Sequence, residues 1–209
     1  MKRTHYIFNL LFLIALSSNV LLAQEQENNE QKNPDEEFVH NNKIYKPNSS
    51  WLSFGVGSSY DINQKQFEQS INFDLHVRIK KTFVSGGYHK SSDAFFQSGT
   101  VQQVHSIQTL NDIHLCVGLK REKFKSNLSL FAGPSYVYGT TYDFTDSLNV
   151  DWYRKFDKPG IYASIQYTYK IFYDVGVGAS LYTSINKYYS VVGIQLHLYF
   201  SNALKGTIR

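Results

Sequence analysis

Phe67 to Lys80 reads FEQSINFDLHVRIK, and its period decides the fold. Phe67, Ile71, Phe73, Leu75, Val77 and Ile79 hold the odd positions, with Gln69 as the exception. Glu68, Ser70, Asn72, Asp74, His76, Arg78 and Lys80 hold the even positions, and all are polar. A helix sets its apolar residues three and four apart. A period of two belongs to a strand with one apolar and one polar face.

The alternation spreads in both directions. Upstream, Leu52, Phe54, Val56, Tyr60 and Ile62 oppose Ser53, Gly55, Gly57 and Ser59. Downstream it returns over 106–120, 124–138, 161–171, 175–185 and 192–200, with a weaker strand from Thr82 to Lys90 that carries Val84 and Tyr88 on one side. Phe131, Val137, Tyr162, Tyr182 and Tyr199 break the rule by falling on the polar face. These runs predict eight strands. Short turns are expected at Lys80-Lys81, Arg121–Lys123 and Phe172; Asn63–Gln66, Ser91–Val104, Gly139–Lys158 and Asn186-Lys187 form the other set, two of them long. Short turns at one end and long loops at the other are the asymmetry of transmembrane barrels, whose short turns are periplasmic.

A soluble barrel turns its apolar face inward and covers its outside with Lys and Glu. Here the polar face is mostly Gly, Ser, Asn, Gln and Thr, which suits a narrow lumen where side chains from many strands converge. The apolar face carries aromatics near the strand ends (Tyr60, Phe67, Tyr88, Tyr138, Tyr169, Tyr173, Tyr188 and Phe200), the makings of an interfacial girdle. A strand of about 13 residues rises about 33 Å at ~40° tilt, enough for an apolar band of ~25 Å. The expected fold is all-β: an eight-stranded antiparallel up-and-down transmembrane β-barrel. A soluble exported lipocalin-like carrier is the alternative that alternation alone leaves open.

Composition agrees. The 209 residues include 16 Tyr and 15 Phe, an aromatic content that favours strands. The lone cysteine, Cys116, rules out a disulfide framework within the chain and any multi-cysteine metal site. A net charge of +4 comes without basic clusters, so no nucleic-acid partner is expected. Gly55-x-Gly57 and Gly176-x-Gly178 sit inside strands with no helix following, so they are not phosphate loops, and no cofactor or metal is expected. At the start, Lys2 and Arg3 precede an apolar core from Tyr6 to Leu16 and a closing Leu21-Leu22-Ala23, the layout of a secretory signal peptide. Residues 24–49 have almost no periodic apolar content and are expected to be a flexible linker, with Phe38-Val39 or Ile44-Tyr45 as a minor partner-binding motif. The expected organisation is a signal peptide over 1–23, a periplasmic linker over 24–49, a barrel over 50–200 and a short tail over 201–209.

Residues 51–200 resemble the small eight-stranded outer-membrane barrels of the OmpA/OmpX type. Gly193-Ile194-Gln195-Leu196-His197-Leu198-Tyr199-Phe200 resembles the C-terminal signal read by barrel-assembly machinery, although nine residues follow Phe200 where such barrels often stop. The resemblance implies the outer membrane of a Gram-negative-type envelope, with both termini in the periplasm. It also implies contact with outer-membrane lipid, and barrel-assembly machinery as a partner in biogenesis. It is specific for architecture and weak for activity.

Three sets of residues bear on function. Asp74-x-His76 and Asp112-x-His114 point to the inferred lumen, and His197 joins them. Such sets bind metal or relay protons elsewhere, but a paired lumen network with Glu68, Arg78, Lys120, Lys170 and Asp174 is the expectation here. His89-Lys90-Ser91-Ser92 resembles the His-x-Ser-Asn motif of the outer-membrane lipid A deacylases, with Ser92 in place of the Asn; the resemblance implies His89 activating Ser91 for ester attack. By parity His89 should face the lumen, away from lipid. Tyr142, Phe144, Trp152, Tyr153 and Phe156 stand among charges in the 139–158 loop and are candidates for contact with a protein or glycan. The expected function is a non-enzymatic outer-membrane barrel whose extracellular loops serve recognition or adhesion, or whose role in the envelope is structural. A deacylase-like hydrolase is the alternative.

Overall fold

In the computed structural model, which describes residues 36–93, 108–147 and 151–207, every run of period two from Trp51 onward is a strand. Two short strands, β1 (Phe38–His40) and β2 (Lys43–Tyr45), come first. The long strands follow as β3 (Trp51–Asp61), β4 (Gln66–Ile79), β5 (Thr82–Ser92), β6 (Thr109–Glu122), β7 (Ser126–Thr145), β8 (Asp151–Lys170), β9 (Val175–Ile185) and β10 (Val191–Ser201). A last short strand, β11, spans Leu204–Thr207. Among the described residues β3–β10 pair antiparallel in sequence order, and β10 returns to β3 from Val191↔Asp61 to Ser201↔Trp51, closing the barrel. The signal peptide, the linker as far as residue 35 and loop residues 94–104 fall outside the described residues.

The apolar face is the outer one. On β6, Leu115, Val117 and Leu119 are 60%, 59% and 63% exposed, while the interleaved His114 and Cys116 are 3% and 0% exposed. The soluble-carrier expectation is overturned by this polarity, since a soluble barrel hides its apolar face in its interior. Even an 11-residue strand such as β3 rises about 28 Å at ~40° tilt, which spans the apolar band. Tyr60 and Phe67 adjoin on the outer wall with ring centroids 5.2 Å apart; Tyr169 and Phe200 are exposed near strand ends as a girdle requires, and exposed Tyr138, within β7, is level with the start of β6. Tyr173 and Tyr188 depart from that expectation. Tyr173 is buried in a turn, and Tyr188 packs on Phe156 at the barrel mouth.

The pattern-breaking residues are the lumen core. Phe131, Val137, Tyr162, Tyr182 and Tyr199 are buried with Trp51, Phe83, Leu110, Tyr189 and Val191. Small polar residues line most of the wall, and these large ones fill the space they leave.

Two segments expected to be irregular are strands. Most of the expected 139–158 loop is strand; β7 and β8 run on as a paired ribbon to Thr145↔Asp151, with a bulge between Tyr142 and Phe144. The last β8–β9 pair is Ile161↔Ile185, so the ribbon rises above the closed barrel. At the other end, the linker and tail expectations are corrected for the residues seen: β1, β2 and β11 make a three-stranded sheet, so 36–49 and 201–207 are not a loose tether and tail. Phe38 and Tyr45, expected at most to meet a partner, instead pack on Tyr173 and Ala203 of the same chain. Lys46 N–H donates to Ala203 O at 2.8 Å and Asn202 N–H to Ser50 O at 3.1 Å, stitching this cap to the short-turn end of the barrel.

Candidate functional site

The lumen is built from the short-turn end upward. Trp51 at the start of β3 lies parallel to the His76 ring at 4.3 Å and meets Phe83 edge-on at 5.0 Å. Lys120 Nζ sits 4.4 Å over the Trp51 ring and donates to Tyr199 Oη at 3.1 Å. Its charge is met by Glu122 at 2.7 Å, which also binds Lys170. A shared carboxylate between two buried ammonium groups meets the requirement that enclosed charges be paired. Just below, in the β8–β9 turn, burial and the Glu122 carboxylate raise the Tyr173 phenol above its ordinary value, so that it stays neutral. Lys170 Nζ lies 3.7 Å over that ring.

The middle layer centres on His114. Its Nε2 is 2.9 Å from Asp74 Oδ1 and its Nδ1 is 3.2 Å from Asp112 Oδ1. Ionised carboxylates only accept, so bonding both calls for a proton on each ring nitrogen. Tyr162 stacks flat on the ring at 3.8 Å, Asn72 Nδ2 donates to Asp74 at 2.7 Å, and Ser184 Oγ donates to Asp112 at 2.5 Å. The register explains the meeting. Asp74, Gly87 and His114 lie on one rung across β4, β5 and β6, and a Cβ on Gly87 would stand 2.0 Å from Asp74 Oδ1 and 2.6 Å from His114 Nε2. The missing side chain lets two strands that are not neighbours bond across a third. Gly178 does the same between Thr168 and His197, whose Oγ1 and Nε2 are 2.9 Å apart.

Nearer the mouth, Glu68 accepts from Ser91 Oγ at 2.5 Å and from the Tyr189 hydroxyl, while Ser91 also bonds Ser59. His89 is fully buried, and neither ring nitrogen has a hydrogen-bond partner among the described residues; its contacts are the Tyr182 and Tyr162 rings. Ser91 is therefore engaged by a carboxylate and not by His89, and both side chains face the interior. A serine nucleophile needs its base within hydrogen-bond reach and an opening to substrate. The two residues supply neither here.

Of the predicted lumen residues, Glu68, Asp74, His76, Asp112, His114, Lys120, Lys170 and His197 come together inside. Arg78 and Asp174 do not. Arg78 Nε donates to Lys80 O at the turn, and the Asp174 carbonyl accepts from Ser201 N–H at the rim. Glu122 was missed because it fell in an expected turn; β6 runs on through it, and parity with Lys120 was the signal. Among the described residues no group of three His, Cys, Asp or Glu is arranged to hold a metal ion. The two aspartates bind opposite edges of one imidazole and do not converge on a point.

The ribbon carries the aromatic set. Tyr142 and Tyr153 pair across it with edge-on rings, and Phe144 stacks on Trp152 at 15° and 6.2 Å. Phe144 and Trp152 are 52% and 53% exposed. Trp152 Nε1 donates to Asp146 at 3.2 Å, and Arg154 pairs with Asp143. Phe156 parts company with the others: it is buried in the mouth, edge-on to Tyr189.

No protein-family model matches the chain, and no curated protein matches it in sequence. Solved structures are similar in shape. Neisserial surface protein A gives a TM-score of 0.53 at 11% identity, over 73% of this chain and 95% of that one. The attachment invasion locus protein of Yersinia pestis gives 0.50 at 12% identity, over 73% of this chain and 97% of that one. At such identities the likeness concerns architecture alone, and the architecture is that of the eight-stranded outer-membrane β-barrels.

Proposed function

We propose that the protein is an outer-membrane barrel that works by presentation, neither conducting nor catalysing, and that its β7–β8 ribbon contacts a protein or glycan outside the cell. The carrying observation is the stacked Phe144–Trp152 pair, half-exposed on a paired ribbon above the last barrel rung. Aromatic rings held rigid lose little entropy on binding, and charged neighbours such as Arg154 and Asp143 add polar contacts around them. Among the described residues the ribbon is the part that rises above the last barrel rung. In this reading both termini and the cap lie in the periplasm, and β10 is delivered to barrel-assembly machinery, with outer-membrane lipid around the apolar belt. A non-enzymatic role is supported by the engagement of Ser91 with Glu68.

The test displays the wild type and a Phe144→Ser/Trp152→Ser variant on cells, applied to glycan and extracellular-protein arrays. Binding by the wild type that the variant loses, with the heat-dependent gel shift of a folded barrel kept, is the expected result. Equal binding by both removes the ribbon from the account. Protease added to intact cells should cut near 146–150 and spare the cap; the reverse would invert the orientation.

A further inference from the structure

The cap end holds a pocket that the presentation role does not use. A cavity of about 210 Å³ is lined by Lys46, Asn48, Ser49, Ser50, Arg78, Asn202 and Lys205. Three cationic and four neutral polar residues line it, with no Asp or Glu among the described residues of the lining. The cap creates it: the 2.8 Å bond from Lys46 N–H to Ala203 O joins the segment before β3 to the segment after β10, setting Lys46 and Lys205 beside the foot of β4. The walls are held in place. Ser49 Oγ donates to Lys46 O at 2.7 Å, and Arg78 N–H donates to Ser50 Oγ at 3.1 Å. The nearby Glu122 carboxylate accepts from Asn48 N–H at 2.9 Å and is already balanced by Lys120 and Lys170.

The position is as telling as the charge. Ile79, next to Arg78, is exposed on the outer apolar face, so the pocket lies where the lipid-facing belt ends. Lys80 and Lys81 follow in the adjoining turn. A phosphate group offers several acceptor oxygens and a full negative charge, the complement of lysine and arginine cations beside hydroxyl and amide donors. We infer that this pocket binds a phosphate group, supplied by the headgroup of a phospholipid at that rim or by a soluble phosphate.

The experiment uses the full chain folded in detergent. Native mass spectrometry measures retention of phosphatidylethanolamine against diacylglycerol, which lacks the phosphate, and calorimetry measures inorganic phosphate. Three variants are compared with the wild type: Lys46→Gln/Lys205→Gln in the pocket, Lys80→Gln/Lys81→Gln as an equal charge loss outside it, and Lys205→Gln alone. The wild type should retain the phospholipid and not the diacylglycerol. The pocket pair should weaken retention about thirtyfold, and Lys205→Gln alone about fivefold. The turn pair, exposed and outside the lining, should change it less than about twofold. Phosphate binding with the same lysine dependence, without lipid retention, supports the site and names the soluble source. Equal losses in the pocket and turn pairs, or no dependence on phosphate in either arm, overturn the inference.

Discussion

Replacing His114 by Leu removes the hub of the middle layer while nearly conserving its volume. Asp74 and Asp112 lose their bonds at 2.9 and 3.2 Å and stay enclosed, each 1% exposed or less. A hydrogen bond to a charged group is worth about 1.5–3 kcal/mol, and breaking a buried ion pair from one side costs about 3–5 kcal/mol. Asn72 and Ser184 still donate to the two carboxylates, which holds the loss to about 4 kcal/mol. With a urea slope of ~2 kcal/mol per molar, the midpoint for unfolding from lipid vesicles should fall by about 2 M. The reading is the fraction of heat-modifiable protein on gels at each urea concentration. Adding Asp74→Asn and Asp112→Asn to His114→Leu should recover most of the loss, because amides leave no uncompensated charge. A midpoint shift below about 0.5 M for the single variant, or no recovery in the triple, would refute the claim that a paired charge network organises the lumen.

Further outcomes follow from the same packing. Gly87→Val places a side chain where Asp74 and His114 meet, and urea titration should show a loss of about 1–3 kcal/mol or failure to fold. Planar bilayers containing the purified protein should show no steady conductance, since rings and ion pairs fill the bore; a stable open channel would mean that the layers around Trp51 and His114 do not close it. Ser91→Ala should leave the acyl chains of lipid A unchanged by mass spectrometry, and loss of one chain only when Ser91 is present would restore the hydrolase reading.

The barrel was legible because one face of every strand is buried, which forces a period of two. Where that condition lapses, the signal goes. In the β7–β8 ribbon most residues on both faces meet water, Thr141 and Phe156 excepted, so Asp143, Arg154, Lys155, Asp157 and Lys158 dilute the alternation and the segment reads as a loop. The cap strands β1 and β2 have three residues each, too few for a period. Their sign was the turn: Asn41 and Asn42 have φ of 49° and 59°, the left-handed pair that a tight hairpin needs and that Asn tolerates. Parity placed His114, Asp74 and Asp112 on one face, but not which carboxylate meets which nitrogen. That depends on the register across Gly87, a property of three strands at once. Arg78 and Asp174 had the same parity and still sit at the rim, because parity gives a face and not a height along the barrel.

The central claim is that the apolar face of the barrel lies in lipid, and β6 tests it most directly. Single cysteines at residues 113–119, in a Cys116→Ser background and reconstituted in vesicles, carry a small fluorophore read against lipid-borne nitroxide quenchers. The account predicts strong quenching at Ile113, Leu115, Val117 and Leu119 and little at His114, Cys116 and Gly118. Quenching with no period of two, or free reaction of Leu115 and Val117 positions with a water-soluble maleimide in the vesicles, would contradict it.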